Sequence, residues 1–449
     1  MQTYDVVIVG AGTAGAFLAN RLCARGHSVL VIEKNPREKI GTKYDIFHIE
    51  EKEFARFDLP RPVKGDEAWA FEFTKNYTAD PKNLYPRLAE NPIVGLHMHA
   101  YTVLLNERAS AAGADFLYGA SFSDFLYEDG KISGVIYETD GEQYEQRAKV
   151  TVDCAGMFSP VRTSLPDDSL VENFKLGGED MFYVILRYVK LLHEKDYLDG
   201  SCGWPFFKSW IAPCADPAGA IVGIGAGHGY DYAESVYQKM LEHITLPEHE
   251  LVKIEKGCTP YTRPPYSFVT DNFVVSGDAG CLTKPINGEG VTSGMAHLEI
   301  VAKVLDRRLR TGNTSAEALW EINRKYNLTQ GADFAFTRAL LVGVINAASF
   351  DEFEFAFESG LISDELVSAG SAGPELKLSP AFLAGAAKTL LGGIFSGKVS
   401  KQTVKETVRA LKTANAVKAH YLNFPDKIED FKDWCAAADD MWDRIGKIK

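Results

Sequence analysis

Three glycines, at positions 10, 12 and 15, follow directly on the apolar run Tyr4-Asp-Val-Val-Ile-Val9. Glycine at the first position permits a tight turn, at the second a close approach of backbone to a pyrophosphate, and at the third close packing of a helix on the strand it leaves. Thr13 and Ala14 fall in the first turn of that helix, where free backbone N–H groups and the positive end of the helix dipole favour phosphate. A second apolar stretch, Ser28 to Ile32, runs into Glu33 and Lys34. An acid there accepts hydrogen bonds from ribose hydroxyls and repels a 2′-phosphate. Strand, glycines, helix, strand and acid arrive in the order of a β-α-β dinucleotide site, which suits FAD and NAD alike.

Two later segments bear on which nucleotide is held. Val274-Val-Ser-Gly277-Asp278-Ala279-Gly280 reads as a short buried strand entering a Gly-Asp turn. Pro285-Ile-Asn-Gly288-Glu289-Gly290 then leads into a helix with Val291, Met295, Leu298, Val301, Ala302 and Leu305 on one stripe. Asp278 can accept from a ribityl hydroxyl, and the N–H groups around Gly288 to Val291 can support negative charge on the N1 and O2 edge of a reduced flavin.

With Val152-Asp153-Cys-Ala-Gly156-Met-Phe-Ser-Pro-Val-Arg162, these segments resemble the three FAD fingerprints of the p-hydroxybenzoate-hydroxylase-like flavoproteins. Thr259-Pro-Tyr-Thr-Arg-Pro-Pro265 and Lys284-Pro-Ile-Asn-Gly-Glu-Gly290 most resemble the geranylgeranyl reductase family, over residues 1–310. The resemblance implies FAD, with Gly10, Gly12, Gly15 and Glu33 on its ADP half and Asp278 on the pyrophosphate or ribityl chain. It sets Gly288 and Gly290 beside the isoalloxazine, and Asp153, Gly156 and Arg162 in the middle fingerprint near the cofactor. It further implies hydride transfer from reduced flavin to carbon–carbon double bonds of an isoprenoid-like substrate, hence lipid metabolism. A monooxygenase of the hydroxylase branch and an FAD-containing electron carrier are the alternatives. The substrate strand departs from the family pattern, offering Gly203-Trp204-Pro-Phe206-Phe207-Lys-Ser-Trp210, and the Trp-x-Trp-x-Ile-Pro signature of flavin halogenases is absent. Trp204, Phe206, Phe207 and Trp210 are candidate pocket walls. A double-bond reductase also needs a proton donor, for which Tyr261, His228 and Cys281 are the candidates.

Positioning these groups calls for an α/β fold with a Rossmann-type FAD-binding domain, an antiparallel-sheet substrate domain and a helical C-terminal subdomain. The expected division assigns 1–70, 96–164 and 259–312 to the FAD-binding domain, 71–95 and 165–258 to the substrate domain, and 313–449 to the helices. A further glycine cluster, Gly223-Ile-Gly-Ala-Gly-His-Gly229, alternates instead of following GxGxxG and reads as a strand ending in a loose turn.

The 449 residues are 46% hydrophobic with a net charge of −13, which disfavours nucleic acid as partner. Seven scattered cysteines without a CxxC pair suggest neither a disulfide framework nor a metal site. With no iron–sulfur spacing, electrons are expected from outside, from NAD(P)H or a small redox protein. No apolar run long enough to cross a bilayer is apparent, and the first strand starts too early to leave room for a signal peptide, so a cytoplasmic location is expected. Residues 388–418 carry Lys388, Lys398, Lys401, Lys405, Arg409, Lys412 and Lys418 against Glu406 alone, at helical spacing with apolar residues. That pattern suits peripheral contact with an anionic membrane or a solvated helix face.

Overall fold

The computed structural model describes residues 3–193, 201–204, 208–372 and 379–447. In chain order the first segment forms β1 (Tyr4–Val9), α1 (Thr13–Cys23), β2 (Val29–Glu33), β3 (Ile46–Glu50), α2 (Glu51–Arg56), β4 (Trp69–Thr78), β5 (Arg87–His97) and α3 (Met98–Ala111). Then come β6 (Asp115–Tyr118), β7 (Ser121–Glu128), β8 (Lys131–Thr139), β9 (Glu142–Asp153) and α4 (Pro160–Thr163). The middle segment forms β10 (Met181–Leu191), β11 (Ser201–Trp204), β12 (Lys208–Pro213), β13 (Gly219–Ala226), α5 (Tyr230–His243) and β14 (His249–Pro260). The chain returns through β15 (Val269–Thr270), β16 (Phe273–Val275) and α6 (Val291–Thr311). It ends in α7 (Ala316–Leu319), α8 (Glu321–Tyr326), α9 (Ala332–Ala347), α10 (Phe350–Glu358), α11 (Asp364–Ala372), α12 (Pro380–Phe395), α13 (Lys401–Leu422) and α14 (Phe431–Ile445).

Two sheets carry the architecture. The first runs β15-β16-β9-β1-β2-β6, with β7 and β8 joined through β9. Its β1, β2, β6, β9 and β16 pair in parallel. Val6, Val7, Ile8 and Val31 are wholly buried, as expected for parallel strands covered on both faces, and α1 packs beside α3 and α6. The second sheet runs β14-β10-β13-β12-β11-β4-β5-β3. Its neighbours are antiparallel except β11 with β4. Val189, Ile211, Val222 and Ile224 form one core on it with Ala233, Val236 and Met240 of α5.

This is the expected α/β fold. The second sheet reaches further towards the N-terminus than the division at residue 70 anticipates, because β3 is its edge strand, paired with β5. A five-residue strand does not reveal its sheet when its partner lies more than forty residues onward. The glycine cluster is β13 and its exit. A Cβ on Gly223 would fall 2.0 Å from the Trp210 ring and one on Gly225 2.2 Å from that of Phe182, so the glycines let both rings lie flat on the strand.

A second feature differs from expectation. The continuous helical run Ala316–Ala347 has the length and apolarity of a membrane span, although 56% of its apolar window is buried within the protein. It passes through a π-helical turn at Asn327–Gly331, and its α9 lies along α13. Its Leu319, Trp320, Ile322, Tyr326 and Phe336 are buried in the main core, together with β1, β2 and α6.

Candidate functional site

The site starts at the turn between β1 and α1. Gly10 has φ +107°, and a Cβ there would lie 2.3 Å from the Cys154 carbonyl oxygen; on Gly15 it would lie 1.9 Å from that of Gly10. Glycine at both positions is a steric requirement. Gly12 is different, since its missing Cβ faces open space at the start of a helix that no side chain caps. That is the local chemistry of a phosphate cradle, with Thr13 and Ala14 half-buried in the first turn. Glu33 is 8% exposed; Oε2 accepts from Ala11 N at 2.9 Å, and Oε1 accepts from the backbone N and Nδ2 of Asn35 at 2.9 and 2.8 Å. A carboxylate offers about four acceptor sites, so Glu33 both fixes the glycine turn and retains capacity for a hydroxyl. Lys34 points into solvent.

The second and third fingerprints meet this turn. Asp153 is fully buried and accepts from Ala155 N (2.9 Å), Ser159 Oγ (2.6 Å) and Arg162 N (3.0 Å). Burial pushes its carboxyl up to about 6, against the opposing pull of those hydrogen bonds. Arg162, also fully buried, donates to the carbonyls of Ala279 (2.9 Å), Glu172 (3.0 Å) and Phe174 (2.8 Å) and lies over the Phe174 ring. Both side chains thus face protein groups, where the sequence suggested the cofactor, and their effect is to fasten the Gly277–Gly280 turn. Ala279, wholly buried, provides the carbonyl for that clamp, and Gly156 supplies a left-handed residue at φ +85°.

Gly277, at φ +62°, comes within contact of Ala14 in the first turn of α1 and of Gly294 in the first turn of α6. Two helix N-termini without side-chain caps are therefore neighbours, and Asp278 sits between them: its Oδ1 lies 3.1 Å from where a Gly290 Cβ would be. The loop before α6 is braced internally. Lys284 N donates to Glu289 O (2.8 Å), Gly288 N to Lys284 O (2.9 Å) and Glu289 N to Asn287 Oδ1 (3.2 Å), while Thr292 Oγ1 donates to the Glu289 carboxylate. Pro285, Gly290 and Val291 are half-buried along it. An uncapped cleft flanked by two helix starts, an acid and a small-residue loop fits FAD.

Opposite the loop lies the second sheet. Leu186, Tyr188 and Ile221 form an apolar patch with Tyr44, Ile46, Val184 and Trp210. Of the candidate pocket aromatics only Trp210 can be located with its side chain; Trp204 contributes backbone opposite Ser209, and Phe206 and Phe207 lie outside the described residues. Tyr261 donates to the Pro285 carbonyl at 3.3 Å, and burial raises its hydroxyl pKa. Cys281 adopts φ +54°, is 1% exposed, and has its thiol pushed up to about 12 by burial. His228 lies at the end of β13 edge-on to Tyr232. Of the three, only Tyr261 touches the loop.

Lys208, unremarked in the sequence, does touch it, donating from Nζ to the Asn287 carbonyl. Burial, opposed by Glu289, lowers its ammonium to about 8. No local motif announces it, because the contact joins residues 79 apart. Beside Glu289 an open groove of about 1380 Å³ runs between α2, α6 and α9, lined by Arg56, Lys284 and Lys418 among others.

Comparison with known proteins agrees with this geometry. Residues 3–178 match the FAD binding domain family. The digeranylgeranylglycerophospholipid reductase of Sulfolobus acidocaldarius is 24% identical across 99% of this chain and 98% of its own length. Its namesake from Methanocella arvoryzae is 26% identical across 70% of this chain and 81% of its own. Among solved structures, a geranylgeranyl bacteriochlorophyll reductase-like protein from Thermoplasma acidophilum aligns with a TM-score of 0.67 at 19% identity, over 91% of this chain and 100% of that one. A flavin-dependent brominase shares the fold at a TM-score of 0.64 and 17% identity, over 89% and 100%. With the fingerprints, the cleft and these likenesses together, the chain is an FAD-dependent oxidoreductase of geranylgeranyl reductase type.

Proposed function

We propose that the protein saturates carbon–carbon double bonds of an isoprenoid lipid. Gly10–Gly15 and Glu33 would hold the ADP half of FAD, and Pro285–Val291 its isoalloxazine. When bound, FAD supplies the hydride. The observation that carries the reading is the apolar cluster of Val184, Leu186, Ile221 and Trp210, in register on β10, β13 and β12 with Lys208, whose Nζ reaches the Asn287 carbonyl of the Lys284–Gly290 loop; such a lining suits a hydrocarbon chain. Relatives named for a digeranylgeranylglycerophospholipid support the same substrate class. Electrons come from an external donor, NAD(P)H or a small redox protein, which reaches the loop by the groove beside Glu289.

Anaerobic reduction of the purified protein, followed by addition of an unsaturated isoprenoid lipid, tests the reading. Reoxidation of the flavin with a saturated product is the expected result. Substrate-stimulated oxygen uptake with a hydroxylated product would replace it with the monooxygenase.

The same reading brings the protein to a membrane surface, through α12 more than through the basic helix beside it. In α13, Ala410, Ala414, Val417 and Tyr421 are buried, so its apolar face already has a partner. In α12, by contrast, Gly393 is the single fully buried residue, and Leu383, Leu391 and Phe395 are 40%, 56% and 90% exposed. Lys388 shares the face of Leu391, where its stem can lie along lipid with its charge at the headgroups. Flotation with vesicles containing phosphatidylglycerol at low salt is expected; protein that stays in the load fraction would remove the membrane contact.

A further inference from the structure

Lys208 and Trp210 lie two residues apart on β12 and so rise from the same face of the sheet. Their cross-strand partners on β13 are Gly225 and Gly223. Neither partner has a side chain to cover that face, and the rings of Trp210 and Phe182 lie against the bare backbone. Lys208 instead crosses the gap: its Nζ reaches the Asn287 carbonyl and stands 3.6 Å from the position of a Gly288 Cβ. It lies 5.7 Å from the Trp210 ring, whose neighbours form the apolar patch. An N–H donor thereby stands at the junction of the apolar sheet face and the loop.

We propose that Lys208 delivers the proton to the substrate double bond. The inference rests on the reductase reading. In the step, the π pair of the double bond forms a new C–H bond with a proton from Nζ, whose N–H pair remains on nitrogen as the neutral amine. The other carbon takes the hydride, two electrons and one proton from the reduced cofactor, and the amine recovers its proton from water. The alkene is reduced and the cofactor oxidised.

The other donors are less suitable. The Tyr261 hydroxyl gives its one proton to the Pro285 carbonyl, whereas the Lys208 ammonium has two N–H groups beyond the one on Asn287; the Cys281 thiol is enclosed, and His228 packs against Tyr232. Lys284 belongs to the loop itself and lines the groove beside Glu289. The titratable groups acting on Lys208 are Glu289 and Lys284 from the loop, and Lys208 in turn acts on His48 of β3. Removal from water lowers the ammonium to about 8, so at pH 7 about nine-tenths of it is still charged, and the proton is easier to give than that of a solvated lysine.

The test uses the FAD-loaded full chain with Lys208→Met, Lys208→Arg and Lys208→Ala. Wild-type kcat should fall as pH rises through about 8, as the donor loses its proton. Lys208→Met should lose about 100-fold or more in kcat with KM and FAD content little changed. Lys208→Arg should retain FAD but give little turnover, and methylammonium should restore part of the rate to Lys208→Ala, a response a merely structural lysine would not give. Independently of turnover, the visible spectrum of the bound oxidised flavin should shift with a midpoint near pH 8 in wild type and not in Lys208→Met. Wild type and Lys208→Met turning over equally would overturn the role of Lys208 alone. Loss of FAD binding in every variant, or no rescue by amine, would make the lysine structural and overturn it too. A wild-type enzyme that saturates no isoprenoid would remove the reductase reading, and this role with it.

Discussion

The dinucleotide turn and helix α12 are opposites in how they use the chain. At the turn, backbone meets backbone so closely that Gly10 and Gly15 have no room for one further carbon. Along α12 a sixteen-residue apolar helix leaves Leu391 and Phe395 in solvent. Both regions depend on surfaces that the folded chain does not itself complete. In the turn, the surface is a set of backbone N–H groups held rigid by clashes and hydrogen bonds; in α12 it is hydrocarbon, and little packing constrains which hydrocarbon. Substitutions should therefore cost stability at the first and contact at the second.

The strongest way to break the comparison is Gly15→Val. Its side chain would begin 1.9 Å from a carbonyl oxygen, and the variant is expected to lose more than about 4 kcal/mol, giving flavin-free or insoluble protein. Absorbance at 450 nm per protein and thermal unfolding check this; a yellow, stable Gly15→Val protein would contradict the steric account. Arg162→Met should follow, losing about 3–5 kcal/mol, since the buried carbonyls of Ala279, Glu172 and Phe174 each lose a charged donor. Urea denaturation measures it. Adding FAD at about 100 times its Kd should stabilise the apoprotein by about 2.7 kcal/mol, an increment that α12 variants retain and Gly15→Val lacks. The smallest stability effect belongs to Leu391→Asp with Phe395→Asp, within about 0.5 kcal/mol, yet vesicle flotation should be lost. A large fall in melting temperature would mean that α12 is part of the core after all.

The difference also explains what could be read in the sequence. The β-α-β turn was legible because its requirements are local: Gly10, Gly12, Gly15 and Glu33 act within one short unit. The alternation of Gly223 and Gly225 was legible as a strand, whereas their purpose was not, since it depends on rings brought from Trp210 and Phe182 on neighbouring strands. Asp153 and Arg162 were recognisable as important, but their role as a clamp needs Ala279, 117 residues beyond Arg162. Lys208 was hidden for the same reason: nothing beside it marks a residue whose partner is Asn287. The basic stretch 388–418 spans the end of α12 and much of α13, and composition cannot separate the helix whose apolar face is buried from the one whose face is exposed.

The order in which the first sheet is threaded has a consequence for how the protein is made. β1 is central, but its neighbour β9 begins at Glu142, and β16, which pairs with β9, ends at Val275. At about 5–20 residues per second, a ribosome delivers that last strand some tens of seconds after the first glycine turn has emerged. Until then the Arg162 guanidinium lacks the Ala279 carbonyl, and α6 has not supplied the second helix start. A nascent chain stalled before residue 280 should therefore remain flavin-free and protease-sensitive, with FAD entering only as the final segment closes over it.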